Sequence, residues 1–276
     1  MKSHPFYFII LLLLSSACNK QTVPRDTGKL DFEQVAPGKL TDRKLRELWP
    51  GSRLLCSKKD FIFYRLGIDQ HPLSIQEENN KHFLEVKIPA HHFGPITGAQ
   101  WSLPVAPADE YFLSYSVRFN DHFNFVKGGK LPGLAGGTAN TGGHVPSGYD
   151  GWSARMMFWE NGKLSYYLYY PKQSGRWGER LYLTTQSGDT LQLQSGKWHR
   201  ITQHIRMNEP QQADGLLEAW VDEQLVFSAN NILFRKAPEL QIDQILFSVF
   251  MGGDNLSWTS DKDQYICFDN FAVYTR

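Results

Sequence analysis

The chain has 276 residues, enough for one large hydrophobic core or two modest ones. Its 29 lysines and arginines nearly balance 28 acidic residues, so the net charge of +1 excludes a global field that would attract nucleic acid or a membrane surface. Any anionic ligand must therefore be held by local cations. The aromatic content of 14%, with 23 glycines, 14 prolines and little helical periodicity, favours many strands joined by turns.

The N-terminal segment is predicted to be a targeting signal. Residues 6–14 form an apolar run that is too short to span a bilayer, and small residues precede Cys18. This pattern resembles a bacterial lipoprotein signal, so we expect residues 1–17 to be removed and Cys18 to be lipidated. The alternative is an ordinary secretory signal with an incidental cysteine. Asn19 is not the aspartate associated with inner-membrane retention, so we expect an exported lipoprotein of the outer membrane or periplasm that contacts the membrane through its lipid anchor only.

Residues 18–50 are predicted to form a polar tether followed by one short helix. The helix is expected over 41–49, with Thr41 as its N-cap and the next Pro-Gly pair ending it. The two remaining cysteines, Cys56 and Cys267, lie near opposite ends of the folded region. In an oxidising compartment they form either a disulfide or two buried thiols.

Residues 51–276 are predicted to form one β domain. Apolar and polar residues alternate over 84–88 and 111–119. Further strand candidates are 61–66, 123–127, 152–159, 163–170, 197–207, 216–222, 224–228, 244–250 and 265–275. So many strands in one span predict an all-β jelly-roll sandwich of two antiparallel sheets with a concave substrate groove. No metal-ligand or cofactor motif is present, so we expect neither a metal nor a cofactor.

The strand candidates 152–159 and 163–170 flank a hairpin signal, Glu160-Asn-Gly162. A two-residue turn would place Arg155 opposite Leu168 and mix polar with apolar side chains. A three-residue loop with Gly162 in the left-handed conformation pairs 155 with 167 and gathers the apolar side chains on one face. The other face then presents Ser153, Arg155, Tyr167 and Tyr169. Taken alone, these residues also fit a surface with solvated charges and stabilising aromatic pairs.

A second polar segment precedes this hairpin. Lys127 and Lys130 flank a glycine pair, and a Pro-Gly turn follows. Glycines allow the backbone to approach a ligand closely, and the lysines add positive charge that the balanced net charge does not supply. We therefore expect a lysine-bearing loop that covers the face with Arg155 and the tyrosines.

The lysine segment, the Ser-x-Arg at 153 and 155 and the Tyr-x-Tyr at 167 and 169 together resemble polysaccharide lyase family 14 and its near relatives, the alginate and glucuronan lyases. The segments Phe247-Ser-Val-Phe-Met-Gly-Gly253 and Phe268-Asp-Asn-Phe271, with Trp258 between them, are also similar. The resemblance covers residues 95–276. It implies a jelly roll whose active residues are one of the two lysines, Ser153, Arg155, Tyr167 and Tyr169. Pro132 fixes the backbone just after Lys130 and favours that lysine over Lys127.

The implied reaction is β-elimination on a 4-linked uronate polymer such as alginate, polymannuronate or glucuronan. Arg155 and a lysine would offset the carboxylate charge, and a tyrosine acidified by neighbouring cations would be the base. In D-mannuronate and D-glucuronate the C5 proton and O4 lie on one side of the ring, so one tyrosine could act as base and acid. A preference for D-uronates follows. Further substrate contacts are expected from Gln100, Trp101, Trp152 and His144.

Two other functions are also compatible with the sequence. A non-catalytic uronate-binding lipoprotein would share the fold and stack sugars on exposed aromatics, for which the candidates are Trp101, Trp152, Trp159 and Trp177. A jelly-roll glycoside hydrolase would need two carboxylates at a defined separation, for which the candidates are Glu179, Glu218 and Asp222. We expect a monomer that binds an anionic uronate polysaccharide and no nucleic acid.

Overall fold

The computed structural model describes residues 29–55, 73–95 and 98–275. Its strands, in chain order, are β1 (Lys29–Leu30), β2 (Gly38–Lys39), β3 (Arg53–Leu54), β4 (Leu73–Glu78), β5 (Lys81–Ile88), β6 (Ala99–Ala108), β7 (Glu110–Phe119), β8 (Gly129–Gly137), β9 (Gly151–Phe158), β10 (Leu164–Tyr169), β11 (Glu179–Tyr182), β12 (His199–Arg206), β13 (Gly215–Val221), β14 (Gln224–Ile232), β15 (Ile242–Met251) and β16 (Gln264–Tyr274). One helix, α1 (Asp42–Leu48), and two short 3-10 turns, Glu160–Gly162 and Leu256–Trp258, complete the described elements.

The strands form two antiparallel sheets, as the sequence predicts. A nine-stranded sheet has the order β14-β13-β12-β7-β16-β5-β4-β2, with β1 paired to β16. A seven-stranded sheet has the order β11-β10-β9-β8-β15-β6-β3. Hairpins such as β8-β9-β10-β11 and β12-β13-β14 alternate with pairs of strands that are far apart in sequence, such as β7-β16 and β8-β15. These long crossovers are the connectivity of a jelly-roll sandwich and not of a simple meander.

The hydrophobic core lies between the two sheets. Its largest fully buried side chains include Trp101, Tyr115, Trp152, Phe158 and Phe268. Because side chains alternate along a strand, each strand of the seven-stranded sheet turns every second residue into this core and the others away from it. The face that points away from the core is therefore free to carry polar groups.

Helix α1 packs against the hydrophobic core and agrees with the prediction. The Thr41 side chain caps it by accepting a hydrogen bond from the Lys44 amide at 3.2 Å. Leu45 and Trp49 are buried, and Trp49 Nε1 donates to the Pro104 carbonyl at 2.9 Å. Within the described ranges, no helix combines the length and the apolar character that crossing a bilayer requires.

Several predictions fall on residues that the structure does not describe. These are the signal over 1–17, the lipidation of Cys18, the strand candidate 61–66 and the thiol of Cys56. Cys267 lies within the described part, where it is a free, buried cysteine. Burial raises the pKa of its thiol to about 12, with the neighbouring Glu85 carboxylate adding to the shift.

The lysine segment is a strand and not the predicted loop. Residues 129–137 form β8, which pairs with β9 on one side and β15 on the other. A bulge between Lys130 and Gly133 accommodates Pro132, which has no N–H for the ladder. Lys130 therefore projects from the sheet itself and not from a loop above it. The strand candidate 123–127 is also wrong, because residues 123–125 have no regular secondary structure and residues 126–127 form a turn in which Val126 has a φ of +47°.

Gly133 lets β8 approach β9 closely, and its replacement tests this packing. A Cβ at this position would overlap the carbonyl oxygen of Ala154 and the Cα of Arg155, both backbone atoms that cannot rotate away. We expect Gly133→Ala to lower the free energy of unfolding by about 1–3 kcal/mol in chemical denaturation. Gly175→Ala is the matched control, since no atom lies within 4 Å of a Cβ there. Equal stability of the two variants would contradict this description of the strand contact.

Candidate active site

A cavity of about 480 Å³ lies on the face of the seven-stranded sheet that points away from the core. Strands β6, β8, β9, β10, β11 and β15 all contribute to its lining. The charged and hydrogen-bonding side chains that line it are Gln100, Lys130, Thr141, Arg155, Tyr167, Tyr169, Arg180 and Asp254. Its large apolar and aromatic lining residues are Met157, Trp159, Trp177, Phe250 and Trp258. A pocket with a basic floor and aromatic walls suits an anionic sugar.

The hairpin of β9 and β10 has the predicted register. Arg155 pairs with Tyr167 and Ser153 with Tyr169, across a loop of three residues in which Gly162 has a φ of +75°. The inward face is apolar, as predicted, with Ala154, Met156 and Phe158 opposite Leu168, Tyr166 and Leu164. This register places Arg155 and both tyrosine side chains at the cavity.

Arg155 is a buried cation that has no acidic partner in the part of the chain that the structure describes. It is 3% exposed, and its Nη1 donates to Ser248 Oγ at 3.3 Å. Its Nε has no hydrogen-bond partner among the described residues. Burial lowers the pKa of the guanidinium to about 10, because the charged form is poorly solvated in the interior. Ser248 in turn donates to Gln100 Oε1 at 2.9 Å, so Gln100 is fixed at the cavity beside the arginine.

Of the two candidate lysines, only Lys130 reaches the cavity. Its Nζ lies 2.7 Å from Met157 Sδ and 3.8 Å from the centroid of the Tyr167 ring. Burial, followed by the charges of Arg155 and Arg180, lowers the pKa of this amine well below its ordinary value. Lys127 is exposed and donates to Ser257 Oγ at 2.7 Å, outside the cavity lining.

The two tyrosine rings stand edge to face, with centroids 5.5 Å apart. The Tyr169 hydroxyl accepts a hydrogen bond from the Gly143 amide at 3.1 Å. Burial raises the pKa of the Tyr167 phenol, and Tyr169 raises it further, whereas Arg155 and Arg180 offset only part of the shift. The expectation that cations acidify this phenol is therefore wrong for Tyr167, which is protonated in the free protein.

Ser153 does not line the cavity. Its side chain is fully buried, and its Oγ donates to the Asn140 carbonyl at 2.6 Å. It thereby holds the loop that presents Gly143 to Tyr169. The predicted contact of Ser153 with substrate is replaced by a supporting role behind the tyrosine.

Two of the four expected substrate contacts are also wrong, and the contact of His144 stays a prediction. Trp101 and Trp152 are buried in the core, where they pack against Phe247 and Phe234 at centroid distances of 6.2 and 4.9 Å. Strand alternation explains why both tryptophans are buried. The residues next to them on β6 and β9 point to the sheet face that carries the cavity, so the tryptophans point into the core. His144 is exposed on its loop and is not part of the cavity lining. Gln100 does line the cavity.

The structure adds residues that the sequence interpretation did not select as site residues. Met157 follows Arg155 by two positions on the same face of β9, so strand alternation was a sufficient signal for it. Trp159 and Trp177, which were candidates only for a binding protein, line the cavity. Arg180 pairs with Tyr167 across β10 and β11, a contact that no local pattern indicated.

A pair of carboxylates suited to glycoside hydrolysis is not present at this cavity. Asp254 is the one acidic residue in its described lining. The candidate acids are engaged elsewhere: Glu179 accepts from Tyr170 at 2.6 Å, Glu218 contacts His204 at 2.9 Å, and Asp222 contacts His199 at 2.8 Å. The site therefore offers a guanidinium, an amine and phenols in place of paired acids.

Comparisons with known proteins agree with this chemistry. The family profile described as polysaccharide lyase 14 matches residues 76–271. No curated protein sequence matches the chain.

Solved structures show that the fold is shared. Alginate lyase Aly36B superposes with a TM-score of 0.77 at 21% identity, covering 92% of this chain and 98% of its own. The alginate lyase of Aplysia kurodai has a TM-score of 0.65 at 22% identity, covering 83% and 99%. The endo-β-1,4-glucuronan lyase of the fungus Trichoderma reesei has a TM-score of 0.54 at 14% identity, covering 91% and 96%. With the family profile matched over most of the sandwich, the chain belongs to the polysaccharide lyase 14 family and is a polysaccharide lyase.

Proposed function

We propose that the protein cleaves 4-linked D-uronate polymers, either mannuronate-rich alginate or glucuronan, by β-elimination to unsaturated oligosaccharides. The observation that supports this most strongly is Arg155. Its guanidinium is buried, and within residues 29–55, 73–95 and 98–275 its Nε has no partner and no carboxylate lies beside it, which is costly in the free protein. A ligand carboxylate that entered the cavity would supply the missing charge and acceptors.

Charge neutralisation of the substrate carboxylate is the first requirement of the reaction. The proton on C5 becomes acidic only when the charge that develops on the carboxylate is stabilised. Arg155 can supply two N–H groups from a fixed, water-poor position, and Gln100 lies beside it through Ser248. Lys130, whose pKa is lowered, is less suited to this task than the arginine.

Proton transfer is assigned to Lys130 and a tyrosine. The amine of Lys130 is the group whose pKa moves toward neutrality, so its neutral form can take the C5 proton. The electrons of that C–H bond form the C4=C5 double bond, and the C4–O4 bond breaks. A phenol, Tyr167 or Tyr169, then donates its proton to O4. This assignment replaces the tyrosine base that the sequence suggested, because the pKa of Tyr167 is raised.

The base and the acid lie on one side of the site. Lys130 Nζ is 3.8 Å from the ring of Tyr167, and both side chains rise from the same face of one sheet. This arrangement suits sugars in which the C5 proton and O4 are on the same side of the ring, as in D-mannuronate and D-glucuronate. L-guluronate would need proton donor and acceptor on opposite sides.

Neighbouring structures support a uronate substrate. Variants of Aly36B bind alginate trisaccharide and alginate tetrasaccharide, and the Trichoderma reesei enzyme is a glucuronan lyase. The present chain shares their fold and, at its own cavity, has cations where a polyanion would need them.

The substrate class is tested by incubating the protein with polymannuronate, glucuronan and polyguluronate. We expect the ultraviolet absorbance of the unsaturated product to rise with at least one of the two D-uronate polymers. The rate with polyguluronate should be lower by a factor of about ten or more, which corresponds to an activation barrier that is higher by at least about 1.4 kcal/mol. Faster cleavage of polyguluronate than of both D-uronate polymers would contradict the same-side arrangement.

A further inference from the structure

Arg180 is a second arginine at the cavity, and no acidic side chain among the described residues pairs with it. It pairs in register with Tyr167, so one row across the sheet contains Arg155, Tyr167 and Arg180. Unlike Arg155, it is exposed, at the edge of the cavity. Within the described part of the chain, no carboxylate forms an ion pair with it and no hydrogen bond of its guanidinium is observed. Its charge is therefore available to a ligand.

The Arg180 guanidinium is held in place by an aromatic ring. Its central carbon lies 4.2 Å from the centroid of the Trp159 ring. Trp159 is itself fixed, because it is 6% exposed and its Nε1 donates to Ser165 Oγ at 2.8 Å. A guanidinium that lies over an aromatic ring still has N–H groups that can bind a carboxylate in bidentate fashion.

The spacing of the two arginines suits two different sugars. Arg155 and Arg180 are on strands separated by β10, so their backbones are roughly 10 Å apart, twice the strand spacing. The side chains also make different contacts, since the Arg155 guanidinium donates to Ser248 and the Arg180 guanidinium lies over Trp159. Two carboxylates of one polymer chain can occupy these two positions at the same time.

We propose that Arg180, supported by Trp159, binds the carboxylate of a second uronate that neighbours the one bound by Arg155. The inference rests on the proposed function. It makes Arg180 a specificity-determining residue, which favours polymers with uronates at both positions over polymers in which uronates are interspersed with neutral sugars.

The test compares Arg180→Gln and Arg180→Lys with the wild type on two substrates. One is polymannuronate, and the other is polymannuronate in which about half of the carboxyl groups have been reduced to alcohols. On the intact polymer, Arg180→Gln should lower kcat/KM by about 10–100-fold, mostly through KM, as expected for losing a hydrogen bond to a charged group. On the reduced polymer its deficit should be clearly smaller, because many cleavable linkages no longer offer the second carboxylate. Arg180→Lys should be intermediate, since it keeps the charge but not the planar fork.

Arg206→Gln is the matched control, because it removes the same charge from an exposed arginine on the nine-stranded sheet. Its kcat/KM should equal that of the wild type on both substrates. An unchanged kcat/KM for Arg180→Gln on the intact polymer would overturn the inference. An equal loss on both substrates would also overturn it, since that result indicates that Arg180 only supports Trp159.

A binding measurement distinguishes a failure of this inference from a failure of the proposed function. Calorimetric titration of wild type and Arg180→Gln with a mannuronate hexasaccharide, on a Lys130→Met background, should show weaker binding without Arg180 by a similar factor. If the wild type forms no unsaturated product from any uronate polymer but this difference in binding persists, the elimination reaction is wrong and the carboxylate site stands. If turnover occurs and binding is insensitive to Arg180, the carboxylate site is wrong and the reaction stands.

Discussion

Replacing Arg155 with alanine is expected to lower kcat on uronate polymers by about 10²–10³-fold or more. The guanidinium is the preorganised group that stabilises the charge developing on the substrate carboxylate, and the loss of one such donor typically has this effect. Initial rates of product absorbance at saturating polymer measure it. Arg155→Lys should recover part of the rate, because a charge remains but the fixed pair of N–H donors does not.

The same substitution should not destabilise the fold through lost ion pairs. Arg155 has no acidic partner, and its Nε is unsatisfied among the described residues. Removing an uncompensated buried charge relieves a desolvation cost and offsets the loss of packing. Activity that falls while the unfolding midpoint is retained would identify a functional arginine. An unchanged kcat would remove Arg155 from the mechanism.

Replacing Lys130 with methionine is expected to lower kcat by about 10²–10⁴-fold, the usual contribution of a general base. Methionine retains much of the buried side-chain volume, so folding should persist. Lys127→Met is the control, because Lys127 is exposed and bonded to Ser257 outside the cavity. Equal activity of the two variants would show that the amine of Lys130 takes no part in catalysis.

The pH dependence of the wild type provides a second view of the base. A lysine accepts a proton only in its neutral form, so kcat/KM should rise with pH through the pKa of Lys130 and level off above it. That pKa is well below 10.5, because of burial and then of the charges of Arg155 and Arg180. A Tyr167 base would be active only as tyrosinate, and its pKa is raised above 10. A rise in kcat/KM that begins only above pH 10 would therefore favour the tyrosine.

The sequence was sufficient to predict the β9–β10 hairpin but not strand β8 beside it. Alternating apolar residues specified the register of β9 and β10, since a shift by one residue would have exposed the whole apolar set. The β8 segment has three glycines and a proline between 129 and 136, a local composition typical of loops. It is a strand because small residues and a bulge let it fit between β9 and β15.

The alternation of side chains along a strand was the signal that showed which residues face the cavity and which face the core. Trp152 follows the same parity as Ala154, so the register that correctly turned Arg155 outward also buries this tryptophan. Arg180 could not be found in this way, because β11 has only four residues and no apolar alternation. The raised pKa of Tyr167 depends on burial and on Tyr169 in three dimensions, which a list of nearby cations does not reveal.

The mass of the products released from a mannuronate oligomer tests the central claim most directly. If a carboxylate on Arg155 and proton transfer by Lys130 and a tyrosine break the C4–O4 bond by elimination, one fragment of each cleavage must be lighter by one water than the hydrolytic fragment and must absorb in the ultraviolet. Fragments that carry the added water and no double bond would contradict the account. So would an intact oligomer after exhaustive incubation of both mannuronate and glucuronate oligomers with the folded protein.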